Sequence, residues 1–384
     1  MKTGIATVPL DYGRCPRWLF ERMRRLSRGI VSAIVEEFGS DELLKRLSNP
    51  VWFQSLGCVI GFDYNSSGLT TTTLGALKAG LFEVQDRLGI YVCGGKRVSR
   101  KTPEEVEAYS RSRGFDFAAD LIYASKMSAK VDSSLIQDGF SLYQHNLIFN
   151  KSGNWAVVQQ GLNIQAQKAR RYHWLSSNLR KDQGKPDFVQ EPHSGIISDA
   201  RVDCLNLVSE KSNENKNVSL ELVNQEPKTF LKDIKKISEQ PNSLAKKRGK
   251  LGFVEMELEN VEFYWHPVLR EKFDLKRLEK TIFAVHSEKP DDFEKLLSLK
   301  GVGPKTIRAL SLVSEIIYGA MPSFEDPARY SFSVGGKDGT PYPVDQETYD
   351  KTLEIMEKGI KSSLISNREK FEAQKRLENL KIFR

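Results

Sequence analysis

Between Asp132 and His193 the chain gathers side chains able to work on a phosphodiester: Asp132, Asp138 and His145, then Gln159 and Gln160, then Arg170, Arg171 and His173, then Glu191 and His193. Three of the five histidines fall here, beside acids and paired arginines. Metal-dependent cleavage needs such a set: carboxylates or imidazoles to hold a divalent ion, a base to activate water, and cations to steady the scissile phosphate. The catalytic candidates are therefore Asp132, Asp138, His145, Gln159, Gln160, Arg170, Arg171 and His173. The metal candidates are Asp132, Asp138, Glu191 and His193, with Asp63 and the Ser66-Ser67 loop completing the site from upstream. Hard oxygen ligands suit Mg²⁺ or Mn²⁺ ahead of Zn²⁺, which a histidine-rich set would also admit. Asp132 and Asp138 need not share a helix face, so a joint site requires the chain to turn between them.

Arg170-Arg171-Tyr172-His173-Trp174 supports two readings. Cations beside stackable aromatics suit a single-stranded or flipped nucleotide. The same residues also fit a helix with Tyr172 and Trp174 in the core and the arginines in salt bridges. His145 alone, and Glu191-Pro192-His193 alone, each read first as structural.

These residues have to be positioned by a mixed set of elements. Pro16 to Leu47 carries apolar residues at helical spacing, with Gly39 as the stop of one helix and Ser40-Asp41-Glu42 as the cap of the next. Asn49 to Gly61 reads as buried. The polar loop Asp63 to Gly68 then enters a helix whose start could present N–H groups to an anion or simply be capped. Leu88 to Gly95 reads as a buried strand with a basic exit loop, Lys96 to Lys101, before a helix opened by Thr102-Pro103. Phe115 to Tyr143 is helical in parts. Asn146 to Asn150, the turn Lys151-Ser152-Gly153, and Trp155 to Gln159 read as a β-hairpin with Gln159-Gln160 at a strand end. The expectation is an α/β (or α+β) N-terminal domain. The order of acid, hairpin strand and polar pair faintly resembles restriction-endonuclease-like nucleases, although an acid-x-Lys strand motif is missing.

Further on, Leu296 to Leu310 (LLSLKGVGPKTIRAL) places a Gly-Val-Gly turn between an amphipathic helix and a second helix begun by Pro304. This closely resembles the helix-hairpin-helix module of DNA repair and recombination proteins. Glycines allow a phosphate to approach the backbone, and the first N–H groups of a helix are free donors. The DNA-binding candidates are Gly301, Val302, Gly303, Lys305, Thr306 and Arg308. The bland alternative is a tight turn between two helices.

The blocks NPVWFQSLGCVIGFDYNSSGLTTTTLGALKAGL, KVDSSLIQDGFSLYQHNLIF, GNWAVVQQGLN, ARRYHWLS and EPHSGI, with KGVGPKTIRALSLVSEIIYG and GGKDGTPYPVD, resemble the archaeal and bacterial family catalogued as domain of unknown function number 763. The likeness spans nearly the whole chain. It implies a fixed two-part architecture that contains the Gly-Val-Gly turn, and it carries no activity with it.

At 384 residues with 39% hydrophobic content, the chain can bury a sizeable core and holds two or three folded units by length. The expected units are an α/β catalytic domain over 1–207, a linker over 208–250 rich in Asn, Ser and Lys, and a mostly α-helical DNA-binding domain over 251–384. The charge of +8 makes an acidic partner plausible, with its basic clusters at 96–101, 168–185, the linker's end and the C-terminal tail. The four cysteines are far apart and form no CxxC pair, which argues against a zinc ribbon or a disulfide framework. The opening residues lack the apolar middle of a signal peptide, and no apolar run is long enough to span a bilayer. A cytoplasmic protein with DNA as its partner and no membrane is expected; self-association into a homo-oligomer stays open. The function expected is DNA processing by a metal-dependent nuclease in repair or recombination, or alternatively a non-catalytic DNA-binding scaffold.

Overall fold

The computed structural model describes residues 15–61, 67–96, 101–182, 184–198, 202–239, 273–328, 354, 356–361, 363 and 365–381. Five helices lead the chain: α1 (Arg17–Phe38), α2 (Ser40–Leu47), α3 (Pro50–Ile60), α4 (Gly68–Leu81) and the single turn α5 (Gln85–Leu88). Gly39, at φ 87°, ends α1 as its position implied. Asn49 caps α3 by accepting from Val51 N–H and Trp52 N–H, with Pro50 in the first turn. After β1 (Ile90–Lys96) come α6 (Lys101–Arg113), α7 (Ala118–Ser134) and β2 (Ile136–Gln137). The long strands β3 (Ser141–Asn150), β4 (Trp155–Asn163) and β5 (Lys168–Leu175) follow. The short β6 (Lys181–Asp182) and β7 (Lys185–Pro186) pair with each other, and β8 (His193–Ile197) and β9 (Leu205–Asn206) complete the strands.

The main sheet is antiparallel throughout, in the order β1-β3-β4-β5-β8. The fold is thus mixed, and the α+β alternative is the one realised in the N-terminal half. Helices cover both faces, so each strand alternates between two apolar layers rather than between core and water. Tyr91, Leu147, Val157 and Trp174 join one core with α6 and α7; Ile90, Ile148, Val158 and Leu175 join the other with α1 to α4.

Helices dominate the C-terminal part: α8 (Asn213–Asn224), α9 (Pro227–Glu239), α10 (Leu275–Glu288), α11 (Phe293–Ser298), α12 (Pro304–Tyr318) and α13 (Asn367–Lys381). The stretch 208–250, expected as a linker, instead holds α8 and α9 as far as Glu239, and its remainder lies outside the described residues. Ser212, Asn215, Lys216 and Ser219 are buried, and Leu222, Val223, Phe230, Ile234 and Ile237 sit in the same core as Tyr91, Trp174 and Leu310. Helical spacing of these few apolar residues outweighs the polar composition that surrounds them. Among the described residues no helix is long and apolar enough to cross a membrane.

Candidate functional site

Register assembles the polar candidates into a band across the sheet. His145 pairs with Gln159, and Gln159 with Tyr172; one residue along, Gln144 pairs with Gln160, and Gln160 with Arg171. Alternation then splits the band between the two faces. Gln159-Gln160 lies within β4 rather than at its end, because the strand continues to Asn163.

On the face covered by α7, the hydrogen bonds determine the donors. The Asp132 carboxylate only accepts, so the Gln159 amide N–H faces it at 2.5 Å and the Gln159 oxygen faces His145 Nδ1 at 2.8 Å. His145 therefore donates from Nδ1, and its Nε2 accepts from the Ser125 hydroxyl at 2.8 Å. Burial holds the His145 imidazole below its ordinary range, which keeps it neutral. Asp132 also accepts from Trp174 Nε1 at 3.1 Å and from His193 Nε2 at 2.5 Å. The His193 ring lies 4.5 Å from that of Trp174.

Asp138 serves a different cluster. Its carboxylate accepts from Tyr172 OH at 2.7 Å, Arg170 Nη1 at 2.9 Å and Phe140 N–H at 3.0 Å. Arg170 is fully buried and also donates twice to Asp326, at 2.7 and 3.0 Å. Asp326 in turn accepts from the backbone N–H groups of Val202 and Ala328. Burial pushes the Asp138 carboxyl up while Arg170 draws it back; burial likewise works against the Arg170 charge, and its two carboxylates outweigh that cost.

On the opposite face, Arg171 donates from Nε to His173 Nε2 at 2.9 Å and from its Nη atoms to Thr70 and Gln54 at 3.1 Å each. His173 donates from Nδ1 to Leu47 O at 3.0 Å, so it is the neutral tautomer with an accepting Nε2. Burial, with the neighbouring Arg171 charge, holds it well below its ordinary range. Burial also brings Arg171 down to about 9. Gln160 donates to Ser67 O at 2.9 Å and to the Tyr143 hydroxyl, whose own pKa burial pushes up to about 12. The side-chain oxygens of Gln144 and Gln160 are buried without a hydrogen-bond donor among the described residues.

Arg170 to Trp174 is therefore a central strand, neither a helix nor an exposed stacking platform: all five side chains are buried, with Arg170, Tyr172 and Trp174 on one face and Arg171 and His173 on the other. Of the metal candidates, Asp132 and His193 meet, Asp138 is committed to Arg170 and Tyr172, and Glu191 turns to Arg180 at 3.5 Å. Glu191 has a positive φ of 44°, unusual for a non-glycine residue, immediately before Pro192-His193. Asp63 and Ser66 lie outside the described residues, as do 97–100 of the basic loop and 335–345 (GGKDGTPYPVD). Among the described residues no three His, Cys, Asp or Glu side chains come together at metal-binding range.

The Gly-Val-Gly turn is built differently. Asp292 caps α11 by accepting Lys295 N–H, and α11 ends at Leu299. Gly301 adopts φ 92°, a conformation suited to glycine, and Gly303 is extended at φ −152° with nothing within 4 Å of where a Cβ would stand. Val302 is buried to 3% exposure and plugs the turn into the core. Lys300 and Lys305 are exposed, Thr306 is buried, and Arg308, half-buried, donates to Gln137. Gln137 also donates to Pro304 O at 2.9 Å. From α7, the Lys130 ammonium donates to Leu297 O and Leu299 O, satisfying carbonyls at the end of α11. Burial brings Lys130 down to about 8.

Residues 4–344 match the family described as Protein of unknown function (DUF763). The chain belongs to this family. No curated protein and no solved structure matches it. In this DUF763 member, sequence reasoning missed Ser125, Lys130, Thr70, Gln54 and Asp326. Ser125 and Lys130 lie on the helix that carries Asp132, where position on α7 gave a signal; Asp326 has none, because only the chain's return brings it to Arg170.

Proposed function

We propose that this protein binds DNA, holding the phosphate backbone of a duplex at the turn Lys300 to Lys305, in the manner of a helix-hairpin-helix module. The observation that carries this reading is the construction of the turn. Val302 anchors it from beneath, nothing lies within 4 Å of where a Gly303 Cβ would stand, the first N–H groups of α12 take no side-chain cap, and the exposed Lys300 and Lys305 flank them. Backbone donors of this kind position a duplex without reading its sequence.

The test is binding of labelled duplex, single-stranded and branched DNA across a salt series. Gly303→Val is the informative variant, since the extended backbone and empty surroundings accept the side chain while the added bulk blocks a phosphate. The expected result is weaker binding with a flatter salt dependence. Binding unchanged by this variant would place the DNA surface elsewhere.

A second reading, metal-dependent cleavage of the bound DNA, is favoured by one observation. Asp132 holds His193 by Nε2, and no hydrogen bond engages His193 Nδ1 among the described residues. A carboxylate fixing an imidazole in this way is a general means of aiming its second nitrogen. In that reading Mg²⁺ or Mn²⁺ would need Asp63 to complete its ligands. Incubating the same substrates with each metal decides it: absence of any product from all of them sinks the nuclease and leaves the binding protein.

A further inference from the structure

The helix beside the turn carries a charge pattern that the proposed grip does not use. Asp274 caps α10 through Arg277 N–H, and Leu278, Ile282 and Val285 face inward. At about 100° per residue, Thr281 and Arg277 lie on one flank, Lys276 and Lys280 on the outward crest, and Glu279 on the other flank. The turn lies against the first flank: a Cβ at Gly301 would stand 3.5 Å from Thr281 Cγ2. Arg277 is thus one helical turn from the residue that touches Gly301, and Lys276 and Lys280 continue the same cationic surface outward.

Two further observations separate this strip from ordinary solvated charge. Lys276, Arg277, Lys280, Lys300 and Lys305 are all exposed and make no ion pair among the described residues. Elsewhere many surface cations are paired, including Arg22, Arg24, Arg28, Lys78, Arg87 and Arg113. Of the nearby acids, Glu288, Asp291, Asp292 and Glu294 are grouped where α10 ends and α11 begins, while Asp274 caps the start of α10 and Glu279 lies on its far flank. The flank of α10 beside the turn and its outward crest thus carry cations alone, a distribution that favours a polyanion there.

We infer that the N-terminal half of α10 is a second strip of phosphate contact, with Arg277, Lys280 and Lys276 holding the backbone of the duplex that the turn grips. The inference rests on the DNA-binding reading and extends it from a point to a surface. Replacing Lys276, Arg277 and Lys280 together by Gln leaves the core untouched, because all three are exposed. With a short mixed-sequence duplex and KCl titration, each lost phosphate contact lowers the slope of log K against log salt by roughly 0.9. The triple variant should therefore lose about two to three from the slope. An equal loss of charge in the helices across the sheet, Arg25→Gln, Lys45→Gln and Arg87→Gln together, should leave the slope unchanged. A triple variant on α10 with unaltered slope and affinity, alongside a Lys305→Gln variant that loses slope, overturns the strip and keeps the turn. An unmodified protein that binds no duplex overturns both.

Discussion

The polar band of the sheet and the glycine turn use their residues in opposite ways. The band is rich in groups that could do chemistry, yet His145, Gln159, Arg170, Arg171 and His173 are buried and hydrogen-bonded to one another or to neighbouring helices. The turn is poor in reactive side chains, yet it sets two exposed lysines around a single buried valine, with space beside Gly303. The difference teaches that residue type alone does not locate function. A buried polar group must find a partner, and once it has found one inside the fold it is no longer available to a ligand.

Breaking the band should be costly to the fold. Arg170→Met leaves Asp138 and Asp326 buried without their cation, and unfolding in urea should show a loss of about 3–5 kcal/mol. A loss below about 1 kcal/mol would mean that the band is not the buried ionic framework described. Acid tests the same band through its histidines. His145 and His173 are held below their ordinary value of 6.5, so they stay neutral in the fold while the unfolded chain takes up protons. Stability is then full above about pH 6.5 and falls below it, by up to roughly 1.4 kcal/mol per pH unit for each histidine. His145→Gln should remove its share of that slope in pH-dependent urea melts; an unchanged slope would contradict its neutral state.

At the turn the effects on stability should be small. Lys130→Met removes two hydrogen bonds to the end of α11, which should cost about 1 kcal/mol and speed amide exchange over residues 299–303 more than in the sheet. Equal acceleration everywhere would show that Lys130 supports the whole fold rather than the turn. Gly303→Val, which alters only the cap position of α12, should change stability least, by less than about 1 kcal/mol, while weakening DNA binding most. Loss of both together would erase the contrast between the two regions.

Much of the local structure was legible in the chain. The helix stop at Gly39, the strand from Leu88, the hairpin around Lys151-Ser152-Gly153 and the glycine turn after α11 all follow from periodicity and turn chemistry. The assignment of 208–250 to a linker failed because five apolar residues at helical spacing were read beneath a polar composition. For Arg170 to Trp174 the helix assignment failed for a related reason, although Tyr172 and Trp174 do lie in the core and Arg170 in salt bridges. A strand buried on both faces need not alternate apolar with polar, since each polar side chain can be satisfied by a different helical layer.

By itself, the sequence determined most of the N-terminal helices and the long hairpin, the turns at Gly39, Lys151-Ser152-Gly153 and Gly301-Val302-Gly303, and family membership. Only the tertiary structure decided which polar residues meet. Asp132 and His193 join across β5, Asp138 goes to Arg170 and Asp326, and Arg171 faces away from both. Antiparallel register and the period of two set which strand side chains share a face, and helix packing and the chain's return bring Asp132 and Asp326 to them; none of these is contained in a single segment.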